Sequence, residues 1–325
     1  MAGTRVEVEV GGRRLSLSNL GKVLYPDEQL TKADVLEHHR RVAPAMLPHL
    51  TGRPCTRKRW PDGVAGPAFY EKNAPRGTPD WVRTVALDSP GSTRASEIVT
   101  YVVVDDLPTL LWSANLAGLE HHVPQWRLTA RGLPGPPDRL VVDLDPGPPA
   151  GVLDCARVAL VVRDLLTPLG LTVVPCTSGS KGMQLYVPVR TRSADRVRAF
   201  AADLARAVGD RLPELMTPVM TRRERPGRVY LDHGQNHPGK TTISPYSLRG
   251  REPARVATPL AWAEVRDATT AGDLSFGPEQ VASRLDALGD LAAPLLDPGA
   301  ARTLPTHLRA GPGRSGPATD RWRSG

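Results

Sequence analysis

Two aspartates stand two residues apart at the end of an apolar run: Asp143 and Asp145, in RLVVDLDPGPP (residues 139–149). In an extended segment residues i and i+2 point to one face, so the two carboxylates lie side by side. Unshielded they repel and one keeps its proton, a cost that a divalent cation between them removes. A third carboxylate, Asp232, ends another short apolar run in RVYLDHGQN (228–236). Three carboxylates on adjacent strands would hold two metal ions, the arrangement that in-line phosphoryl transfer exploits. Phosphate-binding signals accompany them. TSGSKGMQLYVPV (177–189) sets Ser178, Ser180, two glycines and Lys181 in one turn. Glycines let backbone N–H groups crowd an anion, the hydroxyls add donors and the lysine adds charge. This is not a P-loop, since the GxxxxGK[ST] spacing is absent and a strand follows in place of a helix. Downstream, GKTTISPYSLRG (239–250) places Lys240 and Arg249 in turn-rich surroundings suited to phosphate contacts.

The elements that must position these groups follow from periodicity. VEVEVGGRRLSLS reads as a hairpin turning at Gly11-Gly12. Thr31 is an N-cap for a helix from Lys32 to about Met46, stopped near Pro48. Residues 60–79, rich in Pro and Gly, form a loop region carrying Phe69 and Tyr70, and 98–104 is a strand followed by a helix over 107–119. The pattern then runs strand 139–145, helix 151–168, strand 171–177, turn, strand 183–189, helix 193–209 and strand 228–232. This predicts an α/β or α+β core. A junction near residue 130 separates an N-terminal subdomain (1–130) from an acidic-site subdomain (131–305), and 306–325 has the composition of a disordered tail.

The chain has 325 residues, 40% hydrophobic and 23% charged, a globular profile. No stretch approaches the ~20 apolar residues of a membrane span, so no membrane partner is expected. Cys55, Cys155 and Cys176 are odd in number and lack CxxC spacing, which predicts a reduced, cytoplasmic setting and no zinc site. The net charge of +8 suits a polyanionic partner. Of 42 basic residues only six are lysine: Lys22, Lys32, Lys58, Lys72, Lys181 and Lys240. In so arginine-rich a chain, each lysine marks a candidate place for a compact ammonium.

Together these segments resemble the polymerase domain of bacterial DNA ligase D, in the archaeo-eukaryotic primase superfamily, used in non-homologous end joining. The resemblance runs from about Ser18 to Glu264 through NLGKVLYP, TRKRWPDGV, FYEKNAPRGTPDW, LEHHVPQW, DLDPG, TSGSKG, VYLDHGQN, KTTISPYSLRG and PLAWAEV. It implies a primase-polymerase fold with a mixed or antiparallel catalytic sheet flanked by helices and a smaller N-terminal subdomain. It implies a nucleotidyltransferase with two Mn2+ (or Mg2+) ions, adding NTP or dNTP units at DNA ends and short gaps. Asp143, Asp145 and Asp232 would be the metal ligands, with Asp232 placed to help activate the primer 3′-hydroxyl. Ser178, Lys181, Arg249 and His122 would meet the nucleotide, while His121 occupies a position usually apolar. Phe69 and Tyr70 match a platform for template bases, Lys22 and Lys32 a pocket for the downstream 5′-phosphate, and Lys58 lies near template or nucleotide phosphate. Double-stranded ends and gaps with a 5′-phosphate, Ku and a separate ligase would be the partners, in the nucleoid. No KxDG string of a ligase occurs in the chain.

One position departs from the family pattern KGxH: this chain reads KGMQ, with Gln184 where a histidine would donate to the triphosphate. Glutamine donates a neutral bond and cannot become a cation. The expectation is an active enzyme with poorer nucleotide affinity. Two alternatives remain. One is an end-binding module that no longer polymerises. The other is a metal-dependent phosphohydrolase, which DxD at a strand end would also serve, although Pro146 and Gly147 after the pair weigh against it.

Overall fold

The computed structural model describes residues 5–88, 98–218, 225–306 and 308. The reading of 306–325 as a tail falls almost entirely outside them. Two antiparallel-rich sheets organise the chain. The first has strand order Thr242–Ile243, Gly118–Val123, Pro54–Arg59, Ile98–Val103, Thr84–Asp88, with Phe69–Glu71 also pairing Pro54–Arg59. The second has the order Val174–Thr177, Met183–Pro188, Arg139–Pro146, Val229–Asp232, Met216–Thr217, antiparallel except for the last pair. Alternation sorts the second sheet by face. Leu140, Val142, Leu144, Leu185, Val187 and Leu231 are fully buried in a core shared with the helices Val152–Leu166 and Ala194–Arg211. Each such side chain contributes roughly 1.5–3 kcal/mol of burial. The opposite face carries Val141, Asp143, Asp145, Gln184 and Tyr186. There Val141, Cys176 and Tyr186 pack with Ile243 and Ala257 of the returning chain.

The hairpin forms with both turn glycines at positive φ, 54° and 72°, as its tight turn demands. The helix capped by Thr31 runs past its expected stop, over Lys32–Leu50, with Pro44 and Pro48 inside it. Each proline forfeits one backbone bond. The buried stripe of Val35, Leu36, Val42, Met46 and Leu50 outweighs that loss, and Arg127 donates to the Pro48 carbonyl that the last turn leaves open. The helix expected over 107–119 ends at Asn115 instead. Ala117 turns left-handed (φ 57°), and a Cβ on Gly118 would lie 2.8 Å from the Ser113 carbonyl oxygen, so the chain leaves the helix and enters the strand Gly118–Val123. The strand expected from 171 begins at Val174. Among the described residues no helix is long and apolar enough to cross a membrane, and all three cysteines are buried free thiols.

Candidate active site

Register builds the acidic row. On the Arg139–Pro146 strand Asp143 lies opposite Gln184 on one side and Asp232 on the other, and Asp145 lies opposite Tyr230. Directly opposed residues share a face, so Gln184, Asp143 and Asp232 form one line across three strands with Asp145 beside it. Gln184 is buried; its Nε2 donates to Asp143 Oδ1 at 3.2 Å. The Tyr186 hydroxyl, shared between Gln184 Oε1 (2.8 Å) and the Ile243 carbonyl (3.0 Å), fixes which way that amide points. Gln184 therefore spends one of its two amide hydrogens on an acid of the row. Asp232 Oδ1 accepts from Tyr230 Oη (3.2 Å) and from the Gly234 amide (3.0 Å), capping the short turn His233–Asn236.

Burial, then the charges of Asp145 and Asp232, push the Asp143 carboxyl up to about 7 against the opposing bond from Gln184. Asp145 is raised as well, by desolvation first and by Asp232 second. A carboxyl raised this way marks a place short of positive charge. With oxygen donors throughout, the acids fit a hard divalent cation such as Mg2+ or Mn2+. Among the described residues no three His, Cys, Asp or Glu side chains converge as a ready metal cluster, Asp232 being turned to its own cap.

Asp143 and Asp145, but not Asp232, open onto a cleft of about 280 Å³ whose walls also include His122, Ser178, Lys181, Gln184 and Arg249. Ser178 Oγ accepts from the Ser180 and Gly182 amides, both at 3.2 Å, which closes the turn predicted to bind an anion. Lys181 is exposed at its rim. His122 faces the cleft and pairs through Nε2 with Glu120 Oε2 at 2.8 Å. His121 points the other way, fully buried against Ser113 Oγ and the ring of His39. Tyr70 meets the His122 ring edge-on at 6.0 Å, and Lys58 Nζ sits over both Trp60 (4.7 Å) and Tyr70 (5.2 Å). Phe69 and Tyr70 are 44% and 61% exposed, a large apolar surface left bare beside the cleft. Lys240 is exposed and off the cleft walls.

Lys22 and Lys32 form a separate cluster. Lys22 pairs with Asp62 at 2.9 Å, and Lys32, buried, donates to the Ser18 carbonyl at 2.7 Å. Three contributors were not singled out from the sequence: Glu120, Tyr186 and Gln235, the last on the cleft wall with its Nε2 donating to the Thr241 carbonyl. Gln235 lies within a quoted motif, but nothing in its residue type marked it. A larger cavity of about 500 Å³ beside the helix Pro278–Leu288 carries Glu28, Asp34, Glu37 and Glu279, a lining that repels phosphate.

The family model for the LigD primase-polymerase domain matches residues 31–292. The multifunctional non-homologous end joining protein LigD of Mycolicibacterium smegmatis is 44% identical over 283 residues, covering 87% of this chain and 36% of the relative. The bifunctional LigD of Bacillus subtilis is 34% identical over 79% of this chain and 40% of its own length. The chain thus spans well under half the length of these curated relatives. Among solved structures, the polymerase domain of Mycobacterium tuberculosis ligase D in complex with DNA superposes with a TM-score of 0.81 at 42% identity, over 87% of this chain and 98% of that one. With its mixed helices and open antiparallel sheets, the chain belongs to the LigD primase-polymerase domain family.

Proposed function

We propose that this chain is a metal-dependent nucleotidyltransferase that adds NTP or dNTP units to DNA ends and short gaps during non-homologous end joining. The observation that carries the reading is the cleft itself. One wall is the acidic row of Asp143 and Asp145 with Asp232 alongside; the other walls bring His122, Lys181, Arg249 and the serine turn to the same space. Asp143, Asp145 and Asp232 would hold two Mn2+ or Mg2+ ions, Asp232 with the carboxylate oxygen its cap leaves over. Such ions would supply charge neutralisation and alignment for a triphosphate facing the attacking hydroxyl. His122, Ser178, Lys181 and Arg249 would bind and orient the phosphates, and Phe69 and Tyr70 would stack on template bases. Lys22 and Lys32 would take the downstream 5′-phosphate, with Lys58 near phosphate of the template or nucleotide. Ku and a separate DNA ligase would be the partners of the joining reaction.

Gln184 lowers nucleotide affinity in this reading. One of its two Nε2 hydrogens is engaged by Asp143, and the neutral amide has no positive charge to offer a triphosphate. The experiment is primer extension on a short-gap duplex with a downstream 5′-phosphate in Mn2+, for the native chain, Asp143→Ala and Gln184→His. Expected are templated addition that vanishes in Asp143→Ala, and a nucleotide KM lowered about tenfold in Gln184→His, a charged hydrogen bond's worth. Addition that survives Asp143→Ala would overturn the assignment. Binding that depends on the 5′-phosphate without any addition would leave an end-binding module. Phosphate released from nucleotide without DNA would make the chain a phosphohydrolase.

A further inference from the structure

Glu120 is 3% exposed and stands at one end of a line across the first sheet: it is opposite Lys58, and Lys58 is opposite Tyr70. Its carboxylate serves two side chains of the cleft at once. Oε2 is 2.8 Å from His122 Nε2 and 3.5 Å from Arg249 Nη1, while Oε1 accepts the Gly250 amide at 3.1 Å. His122 and Arg249 both line the cleft; Glu120 does not. The backbone it grips is itself held. The Tyr25 hydroxyl donates to the Arg249 carbonyl at 2.8 Å, and a Cβ on Gly250 would fall 2.2 Å from the Trp60 ring. Arg249 Nε is buried and makes no hydrogen bond within the protein.

We infer that Glu120 is a positioning residue, the shared anion that holds His122 and Arg249 in place to receive the phosphates of the nucleotide. The inference rests on the reading of the cleft proposed above. A buried carboxylate bonded to both an imidazole and a guanidinium fixes the two side chains relative to each other. Its hold on His122 through Nε2 leaves Nδ1 as the ring nitrogen available to a ligand. Its longer contact to one Arg249 nitrogen leaves the rest of the guanidinium to turn to phosphate. A residue that merely stabilised the sheet would affect folding without favouring nucleotide over DNA.

The test is a binding cycle on the whole chain, using a non-hydrolysable ATP analogue with Mn2+ and, separately, a gapped duplex with a 5′-phosphate. Glu120→Gln keeps the volume and the acceptor for Gly250 but removes the charge. It is expected to weaken analogue binding about tenfold while gap binding stays within about twofold. In a His122→Ala/Arg249→Ala background the same change should cost less than about twofold, because nothing is left to position. Unchanged analogue affinity in Glu120→Gln, or a tenfold loss that persists in the double background, would overturn the inference. Should Glu120→Gln fail to fold, His122→Ala and Arg249→Ala still decide. Coupling through one carboxylate makes their combined loss differ from the product of the single losses by more than about threefold, and a simple product overturns it. An unaltered chain that binds no analogue would remove the cleft reading as well, a result separate from a silent Glu120→Gln.

Discussion

At the scale of single residues, Lys32 shows how a buried charge becomes a sensor. Burial first, then the charges of Lys22 and Arg59, bring its pKa from 10.5 down to about 8. The folded form disfavours the ammonium, so between those two values the unfolded chain binds more protons and stability rises with pH across the window. A bound 5′-phosphate acts in the opposite sense and favours the charged form. Affinity for a gap bearing a 5′-phosphate should therefore fall as pH rises through the window above about 8, while affinity for the same gap with a 5′-hydroxyl stays flat. Lys32→Arg, charged throughout, should remove the fall. Fluorescence anisotropy from about pH 7 to 9.5 measures it. A 5′-phosphate preference that ignores pH would take Lys32 out of that pocket.

At the scale of elements, the acidic row depends on how closely the strand Met183–Pro188 enters beside Arg139–Pro146. A Cβ on Gly182 would lie 2.1 Å from the carbonyl oxygen of Leu144, the residue between Asp143 and Asp145. Backbone cannot swing aside as a side chain can. Gly182→Ala should cost about 2–3 kcal/mol in urea unfolding and abolish most nucleotide addition. Gly21→Ala, where a Cβ meets nothing within 4 Å, is the matched control. Equal midpoints for the two variants would show that the strand shifts freely. The strand itself was legible from sequence to within a residue, since RLVVDLDP is an apolar run closed by turn chemistry. Gly118–Val123 was not. GLEHHV carries three titratable residues, and the expected helix over 107–119 takes in only its first two positions; what makes it a strand is the left-handed turn at Ala117 and the crowding at Gly118. His122 could be anchored by its motif alone, and nothing local marks Glu120 as a buried carboxylate.

At the scale of the molecule, the cleft exists because late chain returns to early chain. Thr242–Ile243 joins the first sheet beside Gly118–Val123, and the Thr177 amide donates to the Thr258 carbonyl at 2.9 Å, tying the second sheet to that returning segment. Such long-range pairing has no local signature, so motif order alone suggested that these segments meet. In the function proposed above, the same arrangement would separate two phosphate tasks: the nucleotide at the cleft, and DNA ends at the Lys22–Lys32 cluster. With a net charge of +8, a diffuse field would also attract DNA, and salt dependence tells the two apart. Log affinity for duplex falls with log salt by about 0.9 per neutralised phosphate. Lys22, paired with Asp62 on open surface, can exchange that weak partner for phosphate at little cost. On a gap with a 5′-phosphate, Lys22→Ala should make the slope shallower by about 1, whereas Asp143→Asn should leave it unchanged. If Lys22→Ala kept the native slope, the lysine cluster would not be where DNA ends are held, and the attraction would belong to the arginine-rich surface as a whole.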